Sequence, residues 1–99
     1  MIEAQEKRSF GRMNANCRMS FRRAVSGMVH EGWCINISGA GILFQANLPV
    51  EPGRAVEIHT MPNDKITPPL TAFIEVVRCT RTDAEHYWIA GAIKGIKTA

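Results

Sequence analysis

The stretch Asn16-Cys-Arg-Met-Ser-Phe-Arg-Arg23 decides the fold class, because its apolar and polar side chains alternate. Successive side chains of an extended strand point to opposite faces. The polar residues of this stretch therefore share one face. The apolar residues share the other: Cys17, Met19 and Phe21. A period of two is typical of a half-buried β-strand, and we predict one here.

Five further segments have the composition of strands and are separated by residues typical of turns. They cover residues 28–37, 42–44, 55–60, 70–80 and 87–94. In the first of them we expect Trp33, Ile35 and Ile37 to face the core, with Asn36 and Ser38 on the opposite face. No segment has a helical period. Six short strands predict one all-β domain, a small antiparallel barrel or sandwich.

Length and composition limit the class of protein. Ninety-nine residues with 45% hydrophobic content are typical of one small folded domain. We expect a disordered tail over residues 1–6 and the domain over 7–99. No apolar run approaches the ~20 residues that cross a bilayer, and the acidic start is unlike a secretory signal. The sequence therefore predicts a cytoplasmic protein without membrane insertion.

The cysteines and histidines are scattered and have no spacing typical of metal ligands. They are Cys17, Cys34, Cys79, His30, His59 and His86. An odd number of cysteines within strands favours buried thiols over disulfides. We expect no metal, no cofactor and no catalytic residue. A carboxylate pair such as Asp83 and Glu85 falls in a predicted turn, so nothing in the sequence indicates an enzyme.

Basic residues are concentrated near the start of the chain. Residues 7–23 hold six of the twelve lysines and arginines and no acid. Such a cluster indicates an anion site, or a solvated basic face. Charge alone does not choose between a nucleotide, a nucleic acid and a membrane surface. The basic cluster includes Arg8 and Arg12, and arginine forks bind phosphates and the O6/N7 edge of guanine.

A polar turn follows Arg12 after 24 residues, in the stretch Asn36-Ile-Ser-Gly-Ala-Gly41. Asn36 and Ser38 are two apart, so a strand projects both from one face. Gly39 and Gly41 can adopt positive φ and leave room for a ligand against the backbone. The alternative is a simple β-turn in which Asn36 and Ser38 bond their own backbone.

The two motifs together, RxxxR at 8–12 and NxSxxG at 36–41, resemble those of the PilZ domain family. The resemblance extends through Leu48-Pro, Pro52-Gly53, the Glu75-Val-Val-Arg78 strand and the closing Ala90-Gly-Ala-Ile93. It implies a six-stranded antiparallel barrel with a flexible N-terminal segment, which binds the bacterial second messenger cyclic di-GMP. Motility and biofilm growth are the processes that such domains control.

The resemblance also implies roles for individual residues. Arg8 and Arg12 would wrap over the ligand, while Asn36 and Ser38 would bond a base or ribose and Gly41 would permit close approach. Further contacts would come from Lys7, Gly39 and Arg78. We expect the signal to pass to a protein partner or a fused output domain.

Two other functions stay open at this stage. One is a PilZ-like adaptor that binds a protein and no nucleotide. The other is a barrel that binds single-stranded nucleic acid by stacking bases on exposed aromatic rings. Because we assign Phe21, Phe44 and Trp33 to the core, we expect no binding of DNA or RNA.

Overall fold

A computed structural model describes residues 12–13, 16–23, 27–62 and 69–97 of the chain. These residues form strands and turns, and they contain no helix long and apolar enough to cross a membrane. The strands are β1 (Arg12–Met13), β2 (Cys17–Arg23), β3 (Val29–Ser38), β4 (Gly41–Ala46), β5 (Ala55–Met61), β6 (Thr71–Asp83) and β7 (His86–Lys97). The predicted disordered tail, Lys7 and Arg8 lie outside the described residues.

Six of the strands close into an antiparallel barrel, which confirms the predicted fold class. The strands follow the order β3-β2-β5-β6-β7-β4, and β4 pairs with β3 again to complete the ring. The two residues of β1 pair with the end of β3, beyond the last residue that β2 reaches. This pairing sets the backbone of Arg12 opposite Ser38.

The core fills the barrel with side chains from every strand of the ring. The alternation predicted for β2 is confirmed, since its three apolar side chains are all buried. Phe21 meets Phe44 across the interior, with ring centroids 5.1 Å apart. Cys17 lies opposite Cys34 in the β2–β3 register, and both free thiols are buried. The barrel is thus a packed core rather than a ligand cavity.

The facing predicted for the first half of β3 is wrong. Trp33 is 40% exposed, whereas its neighbour Cys34 is fully buried. The cause is a β-bulge: Cys34 pairs with Phe44 and Asn36 with Leu43, which leaves Ile35 as an extra residue. The bulge shifts the alternation by one. Residues after it face as predicted, with Ile37 buried, but residues before it are reversed.

The last two strands are longer than the sequence predicts. We expected strand ends at 80 and 94, but β6 runs to Asp83 and β7 to Lys97. The turn between them is tight, with Asp83 paired to His86. Asp83 accepts a hydrogen bond from the Glu85 amide and contacts the His86 ring, and both contacts lower its pKa. These polar contacts stabilise a hairpin in a segment that its composition identifies only as a loop.

The buried thiol of Cys34 predicts a pH dependence of stability. Burial, and secondly the nearby Cys17, raise its pKa from 9.0 to about 12. The unfolded chain therefore releases this proton at lower pH than the folded chain. The stabilisation is complete below pH 9 and is lost as the pH rises towards 12. We expect the free energy of unfolding, measured with denaturant, to fall above pH 9. This group contributes at most about 1.4 kcal/mol per pH unit to that fall.

The matched control is Cys34→Ala, which removes the thiol and keeps the other titrating groups. The difference in unfolding free energy between wild type and variant is expected to be flat from pH 6 to 8 and to shrink above pH 9. A difference that stays constant up to pH 10.5 would contradict the assignment.

Candidate functional site

The predicted site residues of the described chain share one outer wall of the barrel. Asn36 pairs with Leu43, Leu43 with Ala90, and Ala90 with Arg78, so these four form one row across β3, β4, β7 and β6. Ser38, Gly41 and Ala92 lie beside this row. We call the wall formed by these residues the motif face: Asn36, Ser38, Gly41, Leu43, Ala90, Ala92 and Arg78.

Asn36 presents a carboxamide at one end of the row. The side chain is half-buried, and it makes no hydrogen bond to any other described residue. An amide group offers two N–H donors and one carbonyl acceptor. Asn36 therefore has its hydrogen-bonding capacity available for a ligand.

Ser38 bonds its own turn, which is the structural alternative raised by the sequence. Its Oγ accepts hydrogen bonds from the amides of Ala40, at 3.3 Å, and Gly41, at 3.2 Å. It also donates to the Gly41 carbonyl oxygen at 3.4 Å. These bonds fix the link between β3 and β4. Ser38 thus fixes the backbone of the turn that follows Asn36.

Neither glycine of the motif has the positive φ that we considered. Among the described glycines only Gly27 and Gly53 do. A Cβ on Gly41 would lie 2.9 Å from the carbonyl oxygen of Gly91 on β7, whereas a Cβ on Gly39 would meet nothing within 4 Å. The close approach at Gly41 is therefore between two strands of the barrel.

Arg12 and Arg78 lie on two different sides of Asn36. The backbone of Arg12 is located by β1, where it pairs with Ser38. Arg78 is exposed at the far end of the row, three strands from Asn36 and so about 14 Å away at ~4.8 Å per strand. Arg78 directly follows a second bulge, between Val76 and Arg78, as Asn36 follows the first. Bulges re-aim side chains at functional sites.

Sequence reasoning missed a second exposed row, adjacent to the motif face. It contains Trp33, Gln45 and Trp88, paired in that order across β3, β4 and β7. Trp88 is 43% exposed and donates from Nε1 to Gln45 Oε1 at 3.2 Å. The two tryptophans are the only ones in the sequence. Of the three aromatic residues assigned to the core when nucleic-acid binding was argued against, Trp33 is therefore exposed, whereas Phe21 and Phe44 are buried as predicted.

A cavity of about 320 Å³ lies on the β2–β5 side of the barrel, apart from both rows. It contains none of the predicted site residues. Its charges pair with one another, since Glu57 contacts both Arg22 and Lys97. Across the residues that the structure describes, no three His, Cys, Asp or Glu side chains form a group suited to a metal ion.

Among the comparisons with known proteins, the search of solved structures gives information on the fold. No family model and no curated protein matches the sequence. Among solved structures, the Bacillus subtilis inhibitor of motility MotI/DgrA superposes with a TM-score of 0.68 at 16% sequence identity. The match covers 89% of this chain and 43% of MotI/DgrA, so the chain spans less than half of that protein. This structural match confirms, at the level of the fold, the resemblance drawn from the motifs.

The geometry at Gly41 predicts a loss of stability on Gly41→Ala. The added methyl group would push against the backbone of Gly91, which cannot move without opening the β4–β7 pairing. We expect a loss of about 1–3 kcal/mol in the free energy of unfolding, measured by chemical denaturation. The control is Gly39→Ala, where space is open, and we expect a change within about 0.5 kcal/mol. Equal stability of the two variants would contradict this role of Gly41.

Proposed function

We propose that this chain is a receptor domain for cyclic di-GMP. On binding, the arginine segment 8–12 becomes ordered over the motif face and holds the ligand against it. The observation that carries the proposal is the pairing of β1 with β3, because it joins the end of RxxxR to NxSxxG at Arg12 and Ser38. Arg12, the last residue of the first motif, thus lies beside Ser38 of the second, although the two are distant in sequence.

The motif face suits a planar ligand. Its centre holds Leu43 and three small residues, Gly41, Ala90 and Ala92, and the small residues would let a ring approach the backbone beside Leu43. Asn36 stands on one side of this floor with an unused carboxamide, and Arg78 on the other. A guanine edge is rich in donors and acceptors that an amide and a guanidinium can pair with.

Arginine chemistry supports the same ligand. The phosphates of a cyclic dinucleotide require positive charge, which the basic N-terminal segment supplies. Arg8 and Arg12 provide bidentate forks, and Lys7 adds a further contact. Ordering the segment costs about 1–2 kcal/mol per backbone residue fixed. A ligand with two phosphates and two bases offers enough contacts to offset that cost.

In this proposal the output is a change of surface rather than a reaction. The closed segment would be recognised by a protein partner or a fused domain in the cytoplasm. Control of motility or biofilm growth is consistent with the likeness to an inhibitor of motility. Asn36 and Ser38, with Gly39 and Gly41, form the wall, and Arg78 closes its far side.

A second candidate, a protein-interaction adaptor that binds no nucleotide, is favoured by one specific observation. Several large apolar side chains are exposed on the described surface, including Met28 at 65%, Val29 at 64% and Val77 at 57%. Met28 and Val29 are consecutive, and a contiguous exposed apolar patch is suited to a protein partner. The receptor and the adaptor differ in one measurable property, the affinity for cyclic di-GMP.

Isothermal titration calorimetry of the purified chain with cyclic di-GMP tests the receptor. We expect saturable binding at micromolar concentrations or below. Arg8→Ala and Arg12→Ala should each weaken binding at least tenfold, because each removes charge-assisted hydrogen bonds to the ligand.

The control for lost positive charge is Arg54→Ala, since Arg54 is exposed in the turn before β5 and pairs only with Glu51 among the described residues. It should bind as the wild type does. Absence of binding by the wild type would favour the adaptor. Equal losses in all three variants would mean that net charge alone, rather than the arginine segment, drives binding.

A further inference from the structure

A shallow cavity of about 220 Å³ adjoins the motif face on the side away from Gly41. Trp33 forms one wall, and the rest of the lining comes from β3, β4, the following loop and His86 at the start of β7. We call this the Trp33 cleft and define it by Trp33, Glu31, Gln45 and Asn47. None of these four residues belongs to the RxxxR or NxSxxG motif, so the cleft is distinct from the predicted site.

Trp33 is fixed in position by a hydrogen bond at its polar edge. Its Nε1 donates to Oδ1 of Asn16 at 2.9 Å. Asn16 itself has a φ of 42°, in the left-handed region that asparagine tolerates better than most residues. Because the indole N–H is already satisfied, a ligand would meet only the exposed apolar ring. Base stacking on tryptophan needs such a ring and no further hydrogen bond.

The polar residues of the cleft complement guanine. The Glu31 carboxylate is exposed and has no partner among the described residues, so it can accept hydrogen bonds from N1–H and the exocyclic amine of guanine. Gln45 Oε1 is occupied by Trp88, which leaves the Gln45 amide N–H groups as donors for O6 or N7. Asn47 is exposed and offers both functions. Adenine has no N1–H, so a carboxylate discriminates between the two purines.

The distance to the motif face fits one ligand. Trp33 precedes Asn36 by three residues of the same strand, which is at most about 10 Å at ~3.3 Å per residue. The bulge at Ile35 turns both side chains to the outer wall. Arg18 lies opposite Trp33 on β2 and is exposed, so positive charge is present beside the cleft as well.

We propose that the Trp33 cleft holds the second guanine of the dinucleotide while Asn36 and the arginine segment hold the first. This inference rests on the proposed function and deepens it. Trp33 stacks on the base, and Glu31 determines the preference for guanine. The occupied cleft lies next to Asn16, between β1 and β2, and thus borders the base of the arginine segment.

Calorimetry with cyclic di-GMP and cyclic di-AMP tests this assignment on the full chain. Trp33→Leu should weaken cyclic di-GMP binding about tenfold, because the stacking ring is lost while an apolar side chain remains. Glu31→Gln should reduce the preference for cyclic di-GMP over cyclic di-AMP at least fivefold, because the amide accepts one hydrogen bond less and adds donors.

Matched controls are available for both substitutions. Phe73→Leu removes an aromatic ring that is 46% exposed on β6, opposite Glu57 and away from the cleft. Glu51→Gln removes one carboxylate from an exposed loop. Both controls should bind as the wild type does. Tryptophan fluorescence of the wild type should be quenched on saturation with cyclic di-GMP, and Trp33→Leu should lose most of that quenching.

The outcomes separate the two proposals. If the wild type binds and both Trp33→Leu and Glu31→Gln match it in affinity and selectivity, the cleft assignment is overturned and the receptor stands. If the wild type fails to bind, both are overturned. Should Trp33→Leu fail to fold, as judged by circular dichroism, Glu31→Gln decides alone, since the exposed Glu31 side chain makes no hydrogen bond or ion pair with any described residue, while its backbone pairing with Ser20 is kept.

Discussion

The β-bulge at Ile35 is the constraint on which the outer wall depends. A regular strand would send residues three apart to opposite faces. With one extra residue inserted, Trp33 and Asn36 both point outward, while Cys34 and Ile37 both point into the core. The bulge therefore satisfies the core and the surface at once. Asn36 is two residues before the end of β3, where Ser38 pairs with Arg12 of β1.

A second bulge, at Val77, has the same effect on the opposite edge of the motif face. It brings Arg78 into register with Ala90 and leaves Val76 buried. The two bulges together terminate a row whose centre is Leu43 and Ala90. The two bulges thus place Asn36 and Arg78 at opposite ends of a surface of small or medium side chains. In the proposed receptor, the arginine segment, whose last residue Arg12 pairs with Ser38, would cover a ligand on this surface.

The fold was predictable because alternation is a strong signal wherever a strand is regular. For the segment 16–23, the sequence predicted which side chains are buried and placed the strand ends within one residue, since no bulge interrupts β2. Trp33 was misassigned because a bulge inserts one residue without any change in composition. The ends of β6 and β7 were missed because polar cross-strand pairs, such as Asp83 with His86, look like a loop in sequence. The roles of Arg8, Lys7 and the side chain of Arg12 stay predictions.

The site was only partly predictable, because two of the motif residues have structural roles in the barrel. Ser38 bonds its own turn, and Gly41 allows β4 to lie close to Gly91 on β7. These two residues would be selected by the fold even if nothing were bound. Asn36, with an unused carboxamide, has no comparable structural role among the described contacts. Within the motif, Ser38 and Gly41 therefore fix the backbone of the surface. Asn36 contributes a carboxamide with free hydrogen-bonding groups. The row of Trp33, Gln45 and Trp88 lies outside the motif, so it could be found only from the register of the sheet.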